Sequence, residues 1–330
     1  MGISLRASVI IPVYNGSQTL AACLLALRQQ TQPPTEIIVV DDGSTDESAA
    51  VAAQFGGVTL ISQNNAGPAA ARNHGAQVAQ EVLLLFTDAD CVASPDWVEQ
   101  MIAPFTDPTV AGAKGIYRTR QPELVARFVQ QEYQDRYDRM VGQSSIDFVD
   151  TYAAAYRRDV FLATGGFDAT FLTASVEDQE FSFRLAGQGH RLVYVPGAIV
   201  YHQHDRTIGA YLRRKFWIGY WKARVTRRYP AKLTRDSHTP QVLKVQMGLA
   251  AIGGLFLFGS LFRIRRRKTF LTGLALTWGS LLLSSVTFLI KIGQRDPAVL
   301  IIAPLLIFIR AWALGLGFLL GNLRFIVKES

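Results

Sequence analysis

Cysteine is scarce in this sequence: only Cys23 and Cys91 occur among its 330 residues. Two cysteines cannot build the disulfide framework of a small secreted domain, so we expect both to be reduced and buried like small apolar residues. No grouping of cysteine and histidine has the spacing of a zinc site. The first nine residues also lack the apolar stretch of a signal peptide, and we therefore expect the folded domain to remain in the cytoplasm.

Acidic residues are absent between Arg206 and Arg235, where ten lysines and arginines occur in a chain of net charge +8. Such a block can bind nucleic acid or an anionic membrane surface, or it can simply be a solvated face. Because an apolar tail follows the block, a phospholipid surface is the favoured partner, and no nucleic acid is expected.

Charged residues of both signs become scarce beyond about residue 245. Three apolar segments occupy residues 247–262, 269–290 and 298–321. The second and third exceed the roughly 20 residues that a helix needs to span a bilayer, whereas the first is short. The loop between the first two, Arg263–Lys268, is almost entirely basic. If the first segment spans, this loop lies outside, against the positive-inside rule; we favour an interfacial or re-entrant first segment, which keeps the loop cytoplasmic. Arg310 interrupts the third segment and must snorkel, pair or face a protein interior.

The first 205 residues alternate short apolar runs with helical patterns. Each run is nearly continuous in apolar residues, which predicts a parallel sheet covered by helices on both faces. Ligands bind such sheets beyond the carboxyl ends of the strands, and acidic residues follow two of the runs there. The predicted strands of this half are Ser8–Val13, Glu36–Val40, Gly57–Ser62 and Glu81–Phe86, and the later ones are Ala153–Tyr156, Arg191–Val195 and Ala198–His202.

Two pairs of carboxylates have the placement of a reactive site. Asp88 and Asp90 follow the fourth predicted strand, and hard divalent cations bind one or two carboxylates together with phosphate oxygens. Glu177 and Asp178 begin a predicted helix about 90 residues later, where a carboxylate can act as a general base. Turn formation alone explains either strand-end cluster, Asp41/Asp42 or Asp88/Asp90, equally well, but it does not explain both of them together with the motifs that surround them.

Seven motifs, in order and at suitable spacing, give residues 5–205 a resemblance to the family 2 glycosyltransferases. That resemblance implies the GT-A fold, an α/β nucleotide-sugar-binding domain that is Rossmann-like and has a mostly parallel sheet. The motifs are VIIPVYNG (9–16), DDGSTD (41–46), NAGPAAARNHG (65–75), TDAD (87–90), GGFD (165–168), VEDQEFSFRL (176–185) and GHRLVYVPGAIVYH (189–202).

The resemblance also implies a donor site at the strand ends. Pro12 and Tyr14 would flank the base of the nucleotide, and Asp42 would hydrogen-bond it while Asp41 supports the loop. The other residues would face the nucleotide, its ribose or the sugar. The full implied set is Pro12, Tyr14, Asp41, Asp42, Arg72, Asn73 and Asp88.

Metal binding and catalysis are implied in the same way. Asp90, together with Asp88, would bind Mn²⁺ or Mg²⁺, and His202 or His204 would approach the metal or the diphosphate. Asp178 would be the catalytic base with Glu177 beside it. A single base opposite the leaving group gives direct displacement and inversion, whereas a retaining hydrolase needs two facing carboxylates about 5 Å apart.

Aromatic and basic residues alternate between Tyr211 and Tyr229, as is typical of helices at a membrane interface. The stretch Arg213–Trp217 (RRKFW) loosely resembles the QxxRW motif of processive family members, so Arg214 and Trp217 would contact the acceptor or the diphosphate. The glutamine is absent and phenylalanine precedes the tryptophan, which favours transfer of a single sugar. Together with residues 304–321, this block resembles the succinoglycan-type exopolysaccharide glycosyltransferases.

These observations predict three parts: a GT-A catalytic domain (1–205), a basic amphipathic interfacial connector (206–244) and a transmembrane region (245–330). The resemblance implies an inverting, metal-dependent transfer from a nucleotide-diphosphate sugar, UDP-linked in the first instance. The implied acceptor is a lipid-linked saccharide or polyprenyl phosphate at the cytoplasmic face of the inner (plasma) membrane, in cell-surface or exopolysaccharide synthesis. A non-catalytic membrane scaffold is the alternative. A nucleotidyltransferase would need a glycine-rich phosphate loop where Tyr14–Gln18 stands.

Overall fold

A computed structural model describes residues 5–171, 176–233, 236–237, 239–262 and 266–328 of the chain. It divides into two compact units. The first comprises Met1–Arg120 and Tyr137–Gln203, and the second comprises Gln121–Arg136 and His204–Ser330.

The first unit is built around an eight-stranded mixed sheet with the order β3-β2-β1-β4-β7-β6-β8-β5. The strands β1 to β4 pair in parallel, as the apolar runs predict, while β7 runs antiparallel to both of its neighbours. The α/β prediction is therefore confirmed. The strands are β1 (Ala7–Val13), β2 (Glu36–Asp41), β3 (Val58–Ser62), β4 (Leu83–Phe86), β5 (Val92–Ala93), β6 (Val110–Arg118), β7 (Ala154–Arg157) and β8 (Arg191–Tyr201).

Helices pack on this sheet through apolar faces. Gly75 lets its helix approach β1 closely, because a Cβ there would lie 2.5 Å from Cγ2 of Ile10. Below the carboxyl edge, a cluster of buried aromatic rings joins the sheet to the helix that begins at Glu177; it includes Phe86, Tyr156 and Phe181. The helices are α1 (Ser17–Arg28), α2 (Ser48–Ala53), α3 (Pro68–Val78), α4 (Trp97–Ile102), α5 (Leu124–Met140), α6 (Arg158–Ala163) and α7 (Glu177–Gly187).

The second unit consists of the N-terminal part of α5 and five later helices. These are α8 (Ile208–Arg228), α9 (Gln241–Phe262), α10 (Arg267–Leu283), α11 (Val286–Arg295) and α12 (Ala303–Lys328). Among the described residues, α9 and α12 are each long and apolar enough to cross a membrane, and α10 with α11 would count as a third candidate only as one bent span.

The lengths of the apolar segments differ from the sequence prediction. The first segment is not short, because the helix that contains it, α9, begins at Gln241 and has 22 residues. The second is not one straight helix, because it bends by 47° between Leu283 and Val286. Ser284 and Ser285 stand at this break, and both hydroxyls bond back to the carbonyl of Leu281. Residues 263–265 of the basic loop lie outside the described residues, and its cytoplasmic placement stays a prediction.

Arg310 pairs inside the protein. Its guanidinium donates to Glu132 on α5 at 2.7 Å and to Gln246 on α9 at 3.0 Å. Lys215 on α8 lies 2.8 Å from the other oxygen of Glu132, and Tyr211 donates to this carboxylate at 3.1 Å. All of these charged groups are buried, so one carboxylate compensates two cations.

Glu132→Gln is expected to lower the free energy of unfolding by about 3–5 kcal/mol, because it leaves two buried cations without their counter-ion. The thermal unfolding midpoint in detergent measures this loss. Glu123→Gln is the matched control, since Glu123 pairs with Arg206 at 3.7 Å with both side chains more than a third exposed. Equal midpoints for the two variants would contradict the prediction.

Candidate active site

The carboxyl ends of β1 and β2 carry two loops that are tied together. Asn15 has a φ of 53°, a left-handed conformation that asparagine tolerates better than most residues. Its backbone N–H donates to Oγ of Ser44, and its side-chain oxygen accepts from the N–H of Thr45. Beside this junction the ring of Tyr14 is 55% exposed, and Pro12 is half-buried. The two residues that the resemblance assigns to the nucleotide base therefore lie at the carboxyl end of β1, where the ring of Tyr14 is accessible to a ligand.

Asp41 and Asp42 both support loops. Asp41 accepts from the backbone N–H of Ser44. Asp42 accepts from the side chain of Gln63 at 2.7 Å and from the backbone N–H groups of Ala66 and Gly67 at 2.9 and 2.8 Å. The loop-supporting role that the resemblance gives to Asp41 is thus shared by Asp42. A hydrogen bond from Asp42 to a nucleotide base stays a prediction.

Arg72 bridges the two acidic clusters. It lies on α3, is 3% exposed, and donates to Asp88 at 2.7 Å and to Glu177 at 3.1 Å. Burial alone would lower the pKa of Arg72, but the charges of Asp88 and Glu177 raise it above its ordinary value. The bridge brings the start of α7 next to the loop after β4, although Glu177 is 105 residues from Arg72 in the sequence.

Arg72→Lys keeps the positive charge but removes the planar fork that reaches both carboxylates. We expect about a 10²-fold loss of turnover, the size of loss that a 1 Å misplacement of reacting groups can cause. The rate of nucleotide diphosphate release measures it. Arg191→Lys is the control, because Arg191 pairs with Asp107 at the surface. Wild-type turnover in Arg72→Lys would show that the bridge does not position the reacting groups.

Asn73 has a different partner from the one implied by the resemblance. Its amide donates to the carbonyl of Phe167 and accepts from the N–H of the same residue, at 2.8 and 2.9 Å. Gly166, in this turn, has a φ of 65°, and a Cβ there would lie 2.5 Å from the amide oxygen of Asn73. Asn73 therefore holds the Gly165–Phe167 turn, and its role toward a nucleotide stays a prediction.

Asp178 has the protonation behaviour of a general base. It is half-buried in the first turn of α7, and one of its oxygens accepts from the backbone N–H of Gln179. Burial, together with the negative charge of the neighbouring Glu177, raises the pKa of Asp178 to about 7. A base with a pKa near the working pH combines a useful deprotonated fraction with adequate basicity.

Asp88, Asp90 and Cys91 form a group whose possible ligand atoms all lie within 4.8 Å of one another. Cys91 is buried, and burial raises the pKa of its thiol, so it stays neutral and is a poor ligand for a hard cation. The two carboxylates have the oxygen chemistry that Mg²⁺ and Mn²⁺ prefer. The side chains of Asp88 and Asp90 are 28% and 41% exposed. These two residues therefore fit a divalent cation.

His202 lies beside this pair, and His204 belongs to the second unit. Nε2 of His202 is 3.1 Å from Oδ2 of Asp90. Burial would raise the pKa of Asp90, but the hydrogen bond and charge of His202 lower it below its ordinary value. His204 is buried in the second unit, where its ring stacks on Tyr133 and bonds to Gln130 at 3.1 Å. Its neighbours there explain it as a packed residue of the helical unit.

The two residues assigned to the acceptor lie on α8 of the second unit. Arg214 is 2.8 Å from a carboxylate oxygen of Asp205, and Trp217 is 46% exposed. The ring of Trp217 packs edge-on against Phe216 and Tyr220. Arg214 therefore has a counter-ion of its own, while the exposed face of Trp217 can meet a ligand or a lipid. Acceptor contact by either residue stays a prediction.

Sequence reasoning missed a buried network behind His202. Lys114 on β6 is fully buried and forms an ion pair with Asp150. Asp150 accepts from the hydroxyl of Tyr152 at 2.8 Å, and the ring of Tyr117 stacks on both Tyr152 and His202. The available signal was a single lysine inside the apolar run VAGAKGIY, since a lysine is almost never fully buried unless it is paired.

Comparison with known proteins gives concordant results. The sequence profile described as "Glycosyl transferase family 2" matches residues 8–164. The chain is 30% identical over 179 residues to the pre-mycofactocin glycosyltransferase of Mycobacterium tuberculosis. The matched region covers 52% of this chain and 38% of that protein. It is 26% identical over 190 residues to the glucosyl-dolichyl phosphate glucuronosyltransferase of Haloferax volcanii, and this matched region covers 52% of this chain and 60% of that protein. The chain thus spans less than two thirds of the length of both relatives.

Two solved structures share the fold at low sequence identity. The mannosyltransferase PcManGT from Pyrobaculum calidifontis, in complex with GDP-Man and Mn²⁺, has a TM-score of 0.58 at 17% identity, covering 98% of this chain and 88% of that one. GalNAc-T7 with UDP, GalNAc and Mn²⁺ has a TM-score of 0.50 at 18% identity, covering 72% and 53%. Residues 8–164 therefore resemble the family 2 glycosyltransferases, and the α/β unit has the GT-A fold.

Proposed function

We propose that the chain is an inverting, divalent-metal-dependent glycosyltransferase that takes its sugar from a nucleotide-diphosphate donor. The bridge from Asp88 through Arg72 to Glu177 carries this proposal. It holds the carboxylates suited to a cation close to the helix start that bears Asp178. Cation ligands and a base with a pKa of about 7 are the two groups that transfer from a diphosphate leaving group needs.

In the proposed reaction, Pro12 and Tyr14 would flank the base of the donor, and Asp88 and Asp90 would hold Mn²⁺ or Mg²⁺. The cation would neutralise the charge that develops on the departing diphosphate. Asp178 accepts the proton of the acceptor hydroxyl. The oxygen of that hydroxyl bonds to the anomeric carbon, and the bond from this carbon to the diphosphate oxygen breaks. Because attack and departure occur on opposite faces, the configuration inverts.

We further propose a lipid-linked saccharide or polyprenyl phosphate as the acceptor, at the cytoplasmic face of the membrane and within cell-surface or exopolysaccharide synthesis. The Haloferax volcanii relative is named for glucosyl-dolichyl phosphate, a lipid-linked sugar, and this name supports a lipid-linked acceptor. The apolar helices α9 and α12 support a membrane location. The succinoglycan-type resemblance supports the exopolysaccharide role.

A donor panel on membranes that contain the full chain tests the proposal. Release of nucleotide diphosphate is followed for UDP- and GDP-linked sugars, with and without added lipid extract. We expect release from one donor class, increased by the extract, and release lowered by about 10²- to 10⁴-fold in membranes that carry Asp178→Asn. If no donor is turned over and Asp178→Asn still supports polysaccharide assembly in cells, the non-catalytic scaffold replaces the enzyme.

A further inference from the structure

Helix α8 packs along the C-terminal half of α12. Gly317 and Gly321 of α12 lie against the backbone of α8, so that an added Cβ would overlap the carbonyl oxygens of Phe216 and Tyr220. One turn earlier, Gly219 of α8 meets the backbone of Leu314 in the same way. Further along, the ring of Tyr220 packs on Phe325. The two helices are therefore parallel neighbours from Leu314 to Phe325 of α12.

The partner helix α8 cannot enter the hydrocarbon of a membrane. It carries seven basic residues and no acidic residue between Arg213 and Arg228, and Lys215 and Arg214 pair with carboxylates outside the helix. Each arginine or lysine at the bilayer centre costs about 2.5–3.5 kcal/mol even on the lowest scale. Only six residues, 216–221, separate its two basic groups, a length of about 9 Å. A membrane-crossing α12 would carry these charges with it.

Ion pairs to α5 lead to the same conclusion independently. Glu132 holds Arg310 in the first third of α12. Asp135 holds Lys291 at 2.7 Å, and Nε of Arg127 donates to Asp296 at 2.8 Å. The chain of α5 lies between β6 and β7, and its composition is too polar to cross a membrane. Arg310 and the segment before α12 are therefore on the side of the membrane that holds α5.

The apolar part of α12 beyond Arg310 is too short to span. Residues 311–321 are followed by Asn322 and Arg324, and these eleven residues extend about 16 Å. The hydrocarbon core is about 30 Å thick. Yet the face of α12 turned away from α8 carries exposed leucines at its start and in its second half. Between them none of residues 306–315 is exposed, because Phe308 packs on Trp278 and Trp312 lies against Gly254. The exposed leucines of α12 are Leu305, Leu316, Leu319, Leu320 and Leu323.

We propose that α12 does not cross the membrane but lies along its cytoplasmic surface, where its leucines enter the acyl-chain boundary and α8 supplies cations to anionic phospholipid headgroups. Surface helices bury an apolar face in this way and gain from anionic lipids. The proposal rests on the membrane location given above but not on the sugar chemistry. It leaves α9 and α10 as the helices available to penetrate the bilayer.

Cysteine labelling on the two sides of α12 tests the proposal. Gln294→Cys and Arg324→Cys change exposed residues before α12 and near its end. An impermeant maleimide is applied to intact cells and then to permeabilised cells, using the full chain. We expect both cysteines to be unreactive in intact cells and both to react after permeabilisation. The native Cys23 and Cys91 are buried, so the unmodified chain is a matched control without label.

Labelling of the two positions from opposite sides of the membrane would overturn the proposal, and so would labelling of both from outside. A cysteine in a periplasmic marker protein confirms that the reagent reaches the outer face. Failure of the enzyme proposal is a separate result, because it appears as absent sugar transfer with both cysteines on the inner side. Recovery of the chain in the soluble fraction would overturn the membrane location and this proposal together.

The depth of the leucine face gives a second test. Leu305→Cys, Leu316→Cys and Leu323→Cys are spin-labelled in the full chain, reconstituted in vesicles of phosphatidylethanolamine and phosphatidylglycerol. Power saturation against oxygen and a polar nickel complex then measures the depth of each label. A surface helix places all three at one depth. A crossing helix separates the first and last by about 27 Å, with the middle label deepest, and this pattern would overturn the proposal.

Discussion

Asp178→Asn is expected to lower turnover by about 10²- to 10⁴-fold while donor affinity stays near that of the wild type. The substitution keeps the size of the side chain and the hydrogen bond from the N–H of Gln179, but it removes the basicity. The proposed donor contacts belong to other residues, Pro12 and Tyr14 among them. A loss of kcat with unchanged donor binding indicates an interaction that is made only in the transition state. Single-turnover rates and titration with the nucleotide diphosphate separate the two quantities.

The pH dependence provides a second measurement on Asp178. Because its pKa is raised to about 7, the deprotonated base accumulates as the pH rises through 7, and turnover should increase to a plateau above that value. Folding stability changes in the opposite direction. Between the ordinary carboxyl pKa and about 7 the folded state binds the proton more tightly than the unfolded state, so the free energy of unfolding falls as the pH rises. Asp178→Asn should remove this fall.

Glu177→Gln serves as the comparison for Asp178→Asn. Glu177 is buried against Arg72, so its amide variant should lose stability through the weakened ion pair but lose less turnover per folded molecule. Wild-type turnover in Asp178→Asn would exclude Asp178 as the base and make Glu177 the first candidate. A flat pH profile between 6 and 8 in the wild type would contradict the protonation argument.

The parallel half of the sheet could be predicted from the sequence because its strands are continuous apolar runs that end in turn-forming residues. β1 to β4 occur where such runs predict them, within one or two residues. β6 was missed because Gly112, Lys114 and Gly115 interrupt its pattern. β8 was divided into two predicted strands at Pro196 and Gly197. The structure keeps it as one strand, because its register against β6 shifts there and so accommodates the proline without a ladder hydrogen bond.

The site was predicted as a set of residue types rather than as a set of contacts. Family motifs identify Arg72, Asp88 and Glu177, but they do not reveal that the arginine joins the two carboxylates. That contact depends on how α3, the loop after β4 and the start of α7 pack together, which no local pattern encodes. The same limit applies to Asn73, whose partner Phe167 is 94 residues away. The length and hydropathy of α12 likewise indicate a helix able to span a membrane. These two properties of a single helix do not account for the charges on α8, which packs beside it.

Chelation of the divalent cation is expected to abolish transfer, and Mn²⁺ or Mg²⁺ should restore it. The diphosphate leaves with additional negative charge, and a bound cation supplies several kcal/mol of stabilisation to that charge in the transition state. About 4 kcal/mol corresponds to roughly a 10³-fold change in rate. Asp90→Ala should show a loss of this size in the presence of the metal. Its side chain is 41% exposed, so its removal leaves no deeply buried cation unpaired and the domain should remain folded.

Metal binding itself can be measured without turnover. The electron paramagnetic resonance signal of free Mn²⁺, titrated with the full chain and UDP, reports the bound fraction, and Asp90→Ala should weaken binding while thermal unfolding stays near that of the wild type. Cys91→Ala is the sharpest control, because the thiol belongs to the same cluster but is neutral, and its loss should leave Mn²⁺ binding unchanged. Asp159→Ala removes an exposed carboxylate elsewhere on the domain and should have no effect. Full activity in EDTA, or equal Mn²⁺ affinity in Asp90→Ala and Asp159→Ala, would remove the cation from the mechanism and leave Arg72 and His202 as the nearest basic side chains to the two carboxylates.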